Sequence, residues 1–403
     1  MGAHVFVVDE NTLTVHTKFL FCGVVNPSGI KERYGIYADL MNLRVGDLVF
    51  FYQRYSKDSE SNGFNGIYEV TGEPFFDSTE IIDQTTGKKV VGKCECGYEY
   101  SAKRKNQFSP AKCLNCGRIV DYPILPNRVP IRVKVFYKKS VKDDYAYVDH
   151  TDHGVLWTML FRKTTGAGRA RSIMHILPEE GEKLGRLLKD HNRENTIIPT
   201  TQSYPATPRK PLVLDIKGNV EKDGTLKFET VLQAWIMQNI DKEVDGLKEI
   251  VGPLNELEYF GAWVPYSLST ETVDILCLHR RDGARFKATV IELKNKEINQ
   301  AAVDQTDNYT DWIAQLATEN AEPEIDAIQI QPVIIGSKKA RYINLPRQRT
   351  FTRKYYSNSL SGKRNEKHIT INVPQLLTYK VVDGSVKFCV LPSSSSSLSN
   401  YVS

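Results

Sequence analysis

Apolar residues are distributed in two different ways along the chain. Up to about residue 192 they come as short runs of β character, VGDLVFFYQ and NGIYEVTG among them, broken by Gly, Asn and Asp. From about Leu212 onward the order becomes a helix, two apolar strands, another helix and a strand. FETVLQAWIMQNI has the spacing of the first helix. VDILCL is continuous enough for a strand buried on both faces, and FKATVIELK returns as its partner after the turn signal RRDG. Between the blocks, Arg193 to Pro211 is polar, punctuated by proline, and reads as a linker. The serine-rich stretch 393–403 reads as a disordered tail. The expected organisation is a first domain over 1–192, a linker over 193–211 and a second domain over 212–392.

Composition permits this. Of 403 residues, 41% are hydrophobic and 25% charged, enough for each block to build a core. No apolar run approaches the roughly 18 residues of a membrane helix. The first residues lack the basic-then-apolar pattern of an export signal. A soluble, cytoplasmic protein with no membrane partner is expected. Seven cysteines, an odd number, argue for metal rather than disulfides. Cys22, Cys277 and Cys389 sit singly in apolar stretches and read as small core residues. Cys94, Cys96, Cys113 and Cys116 form two knuckles, each followed by Gly, in an insert over 90–120. Four thiolates suit tetrahedral structural Zn²⁺ and leave no open position for chemistry.

Net charge is only +5, but its distribution is uneven. Between Lys338 and Lys367 ten Lys and Arg, including Arg347, Arg349, Arg353 and Lys354, face the single acid Glu366. Tyr342, Phe351, Tyr355 and Tyr356 are interleaved with them. Such a stretch is either a solvated face or a phosphate-tracking surface with aromatic platforms.

Chemistry concentrates on the two strands either side of RRDG. Pairing across that turn sets Asp274 opposite Ile291 or Glu292, and alternation turns Glu292 and Lys294 to one face. Two carboxylates and an ammonium converge there. Carboxylate oxygens suit Mg²⁺, or Mn²⁺, and the lysine can orient or deprotonate a water. With Glu292-Leu293-Lys294 on the strand after Asp274, the segment resembles the PD-(D/E)XK signature of restriction and repair nucleases. Gln305 and Tyr309, one helical turn apart in AAVDQTDNYTDWI, resemble the Q-x-x-x-Y helix of the RecB-like branch and of the archaeal mismatch-directed endonucleases. That resemblance spans roughly residues 226 to 320. It implies an α/β restriction-endonuclease-like domain and an upstream helical acid, which Glu229 fits, with Glu256 and Glu258 as rivals. Val273 stands where the signature has proline.

The first block resembles the PUA-like barrel family that includes EVE and YTH domains, over about residues 12 to 190. The likeness rests on RVGDLVFFYQR, NGFNGIYEVTGEPFFD and the closing segment GVLWTMLFRKTTGAGRARSIMHILPEEGEKL. It implies an α+β barrel, carrying the zinc ribbon, that holds an extruded modified base in an aromatic-lined pocket. Asn26, Arg33, Tyr34, Tyr37 and Trp157 are the pocket candidates, though Tyr37 and Trp157 equally suit a core. Lys163, Arg169 and Arg171 are candidates to grip phosphates.

Together these imply a metal-dependent endonuclease that reads a modified base in double-stranded DNA and cuts nearby. Cutting both strands needs two sites, hence a homodimer. A mismatch- or structure-directed repair nuclease and a non-catalytic nucleic-acid-binding protein are the alternatives, and RNA stays open as a substrate.

Overall fold

The structure is a computed structural model. It describes residues 2–8, 10–27, 29–54, 62–77, 81–82, 89–91, 111–112, 119–120, 125–137, 139–142, 145, 172–193, 195–201, 210–265, 271–319, 327–356 and 364–392. The chain divides into two compact units, the first carried by Met1–Asp152 and Gly168–Leu214, the second mainly by Asp215–Ser403. Both mix sheets with a few helices. No helix among the described residues is long and apolar enough to cross a membrane.

In the first unit, β1 (Ala3–Val8) is followed by α1 (Glu10–Phe19), β2 (Phe21–Val24), α2 (Ile30–Leu40), β3 (Leu48–Gln53), β4 (Gly63–Val70) and β5 (Phe75–Phe76). Then come β6 (Asn127–Val135), β7 (Ile173–Ile176), α3 (Pro178–His191) and β8 (Lys210–Pro211). The sheet runs β7-β1-β3-β4-β6-β5-β8, with β2 on β6. Of these pairs only β1 with β3 is parallel. Val5, Phe50, Phe51 and Tyr68 are fully buried at its centre. The apolar side of α3, including Leu184 and Leu188, packs across β1 and β4.

A buried polar chain ties this core together. His4 on β1 and His175 on β7 are cross-strand partners whose Nδ1 atoms lie 2.8 Å apart, so one ring donates to the other. His4 Nε2 reaches Asp47 at 2.9 Å, and His175 Nε2 reaches Asp39 at 3.4 Å. Burial acts to raise the Asp47 pKa, but the His4 hydrogen bond and charge and the backbone N–H groups of Arg44 and Gly2 hold it below the ordinary value.

Within 193–211, Ile197 N donates to Phe136 O at 2.9 Å and Lys210–Pro211 pair with β5, while residues 202–209 lie outside the described residues. One expectation changes here: Cys389 is exposed, on a strand edge, while Cys22 and Cys277 are buried.

The second unit opens with α4 (Glu229–Asn239) and the short α5 (Leu247–Val251). Residues 230–237 of α4 are buried on every side, which is why its sequence is apolar nearly all round. The strands are β9 (Leu257–Pro265), β10 (Thr272–Arg281), β11 (Ala284–Leu293), β12 (Glu297–Ile298), β13 (Ala327–Gly336) and β14 (Lys338–Lys339). They continue as β15 (Arg349–Tyr356), β16 (Arg364–Ile371), β17 (Gln375–Val382) and β18 (Ser385–Val390). β9, β10 and β11 form an antiparallel meander. The 20-residue helix α6 (Gln300–Glu319) then crosses over to β13, parallel to β11. β13 continues the sheet parallel to β16 along its first half and to β17 along its second. The turn between β10 and β11 is built on Asp282 and Gly283, at φ +50° and +79°. Those values fit a mirror-image hairpin turn, for which Asp-Gly is suited.

Candidate functional site

Register fixes the site. Ile275 lies opposite Ile291, and the same pairing continues to set Asp274 beside Glu292. Asp274 is 8% exposed and Glu292 1%. Asp274 Oδ2 accepts from Leu293 N at 2.7 Å, and its backbone carbonyl accepts from Gln233 Nε2, on α4, at 2.9 Å. The Lys294 ammonium donates to Glu292 Oε1 and, at 3.1 Å, to Gln305 Oε1. Gln305 Nε2 in turn donates to the Tyr309 hydroxyl. Strand end and helix α6 are thus joined by a continuous chain, Glu292–Lys294–Gln305–Tyr309. Glu229, half-buried at the start of α4, is near enough for its charge to act on Asp274, Glu292 and Lys294. Its rivals are engaged elsewhere. Glu258 bridges Arg280 and Arg285, and Glu256 pairs with Arg281.

The electrostatics follow from burying negative charge. Burial first, then the charges of Glu292 and Glu229, push Asp274 well above the ordinary carboxylate range. Burial likewise pushes Glu292 up to about 7 against the lowering effect of Lys294, with Glu229 adding to the rise. Burial acts to lower Lys294, but Glu292, Asp274 and Glu229 outweigh it and hold the ammonium charged. Ionising all three acids around one lysine therefore carries an electrostatic cost.

A divalent cation would relieve that cost, and hard oxygen donors suit one. Glu292 Oε2 is buried and finds no hydrogen-bond donor. Among the described residues no group of three or more His, Cys, Asp and Glu could hold a metal by itself. Asp274 and Glu292 would therefore be partial ligands, the remaining positions falling to water or substrate, as Mg²⁺ commonly retains several waters.

The other sequence candidates fare unequally. Asn26 has a buried side-chain oxygen with no partner. Arg33 Nε donates to Pro27 O at 3.1 Å. Tyr34 and Tyr37 are buried and packed edge to face with ring centres 5.5 Å apart. Arg347 is exposed. Arg349 is engaged by Asp307 at 2.6 Å and Asp311 at 3.2 Å on α6, and Lys367 is buried, so neither extends a free basic face. Arg353 and Lys354 lie on β15, opposite Lys367 and Glu366 of β16. Trp157, Lys163, Arg169, Arg171 and the four knuckle residues Cys94, Cys96, Cys113 and Cys116 fall outside the described residues.

Sequence reasoning missed Gln233, which steadies the Asp274 backbone. Its sole signal is a polar residue inside an otherwise apolar helical run. It also missed the His4–His175 pair, whose members are separated by 171 positions.

No protein-family model matches the sequence, and no curated protein matches it. Among solved structures, a hypothetical protein from Leishmania major is similar at 13% identity and TM-score 0.28, over 47% of this chain and 96% of that one. A Pseudomonas putida protein is similar at 13% identity and TM-score 0.25, over 46% and 98%. Human THYN1, solved in complex with 5-methylcytosine-containing DNA, is similar at 14% identity and TM-score 0.26, over 47% and 98%. Likeness at this level defines no family for the chain.

Proposed function

We propose that the second unit is a nuclease of the PD-(D/E)XK type that hydrolyses phosphodiester bonds in DNA with Mg²⁺ or Mn²⁺, and that the first unit directs it to a modified base. The observation that carries the first half is the chain Glu292–Lys294–Gln305–Tyr309 beside buried Asp274. A hairpin with merely exposed charges would not bury two carboxylates next to each other, because burying unpaired charge is costly. Retaining that cost at one end of a sheet is what function requires.

Asp274 and Glu292 would hold the cation, which when bound polarises the scissile phosphate and lowers the pKa of a water. Lys294, held charged by these carboxylates in the metal-free site, can serve as a hydrogen-bond donor and a positive charge. Gln305 fixes where its ammonium points, and Tyr309 fixes Gln305. The lysine can therefore align a water and offset charge building on the phosphate oxygens. Gln233 holds the Asp274 backbone still while substrate enters.

The second half of the reading is supported by the strand pattern of the first block and by Asn26. A buried amide oxygen without a donor suits a flipped base, whose edge supplies N–H groups. In this reading Cys94, Cys96, Cys113 and Cys116 hold one structural Zn²⁺, and a homodimer brings two sites to the two strands.

The test is incubation of the full chain with Mg²⁺ and duplexes that are unmodified, methylated, hydroxymethylated or mismatched. Cleavage should favour modified duplex. Cleavage confined to mismatched duplex would instead establish a repair nuclease, and no cleavage of any would remove the enzymatic reading.

A further inference from the structure

The segment after β13 carries a feature the catalytic reading does not use. β11 and β13 run parallel, with Leu293 opposite Ile335 and Lys294 N donating to Ile335 O at 2.8 Å. Whatever follows β13 therefore leaves the sheet at the same edge as Lys294. There Ser337 N donates to Lys296 O at 2.7 Å, β14 pairs with β12, and Ala340 N donates to Ile298 O at 2.9 Å.

Residues 341–346 are held although they form no element. Ile343 and Leu345 pack onto the buried cluster of Ile298, Ala302, Val303, Ile334 and Leu376. Asn344 N donates to Gln300 Oε1 at 2.8 Å, and Gln300 Nε2 returns a bond to Asn344 O at 3.2 Å. With residues 343 and 345 turned inward, Tyr342 is 79% exposed. The Arg341 guanidinium lies over its ring, 5.3 Å from the centre. The ring is thus held out into solvent by an anchored segment and buries little of its surface.

Its surroundings specify what it meets. From Ser337 to Gln348 there is no acid, Lys338, Arg341 and Arg347 are exposed, and Lys338 has Glu297 at 4.0 Å across the β12–β14 pair. An aromatic face among cations, at the edge where Lys294 stands, complements a polyanion that also carries flat rings. In an intact duplex the base faces are stacked on one another and closed to a side chain. They are open where a strand is single.

We infer that Tyr342, backed by Arg341, is a stacking platform for an unpaired base, so the DNA this unit engages carries a single-stranded stretch. That this DNA is also the DNA cleaved rests on the nuclease reading above.

The test is binding by the full chain in buffer without added Mg²⁺ or Mn²⁺, so that no cleavage occurs. The probes are a fluorescein-labelled blunt duplex, the same duplex with a single-stranded tail, and the tail strand alone. Tyr342→Ala should weaken binding of tailed and single-stranded DNA by roughly tenfold, within the range for one base–aromatic stack, and of blunt duplex by less than about twofold. Tyr342→Phe should bind like the native chain. Lys338→Ala should weaken all three alike and flatten the salt dependence, as a phosphate contact does. An unchanged Tyr342→Ala, an equal loss on blunt and tailed DNA, or no binding of any probe by the native chain overturns the inference. Tailed-DNA binding through Tyr342 with no cleavage on adding Mg²⁺ would remove the nuclease reading and leave the platform standing.

Discussion

At the scale of single residues, Glu292 shows the cost of the site. Its pKa is raised to about 7 chiefly by burial, so at neutral pH the folded metal-free state holds comparable amounts of acid and carboxylate while the unfolded chain is ionised. The sign follows from linkage. Stability from this group is fully present below the unfolded carboxylate pKa, and is lost as pH rises through about 7. Glu292→Gln removes the charge and keeps the shape, so it should raise the metal-free melting temperature at pH 8 by roughly 4 °C. Scanning calorimetry of both forms checks it, and a lower melting temperature for the variant would mean that the Lys294 bond outweighs the burial cost. Asp77 and Arg128 show the opposite case: a buried pair in the first unit, 2.8 Å apart, with Arg128 also bonded to Leu125 O and stacked on Phe21. Asp77→Ala should cost about 3–5 kcal/mol in denaturant unfolding, because it strands a buried cation.

Elements explain how much of this the sequence revealed. The β10–β11 hairpin was legible because three local signals agree: an unbroken apolar run, an Asp-Gly turn and a second run ending in Glu292-Leu293-Lys294. Asp383 and Gly384 repeat the same turn between β17 and β18, at φ +53° and +81°, a signal present in the sequence but unread. Gly283 has open space around a Cβ, so Gly283→Ala is opposed by backbone conformation alone. It should cost about 1 kcal/mol by urea unfolding; a neutral result would contradict the left-handed turn. The ends of 193–211 were illegible as strand partners, since a two-residue pairing such as Lys210–Pro211 leaves no periodicity to detect. Composition cannot distinguish Arg349, which is tied to α6, from Arg347, which is exposed.

For the whole molecule, two compact units with separate cores imply two unfolding transitions, and their pH responses should run in opposite directions. Asp47 in the first unit is held below its ordinary pKa, so its contribution is complete above about pH 4 and disappears as pH falls through the folded value. Glu292 in the second unit gives stability that grows as pH falls from about 7. Calorimetry from pH 8 to pH 3 without metal should show one transition rising first and the other falling last; a single transition moving as one would contradict two independent cores.

We propose that buried Asp274, Glu292 and Lys294 cleave DNA. The most direct measurement is cleavage of a modified duplex by the full chain in Mg²⁺, against Asp274→Ala and Lys294→Ala with folding verified by circular dichroism. Native protein should cut and lose all activity in chelator, and each variant should bind DNA as before while cutting at least about a hundredfold more slowly. Full-rate cleavage by folded Asp274→Ala would contradict the account.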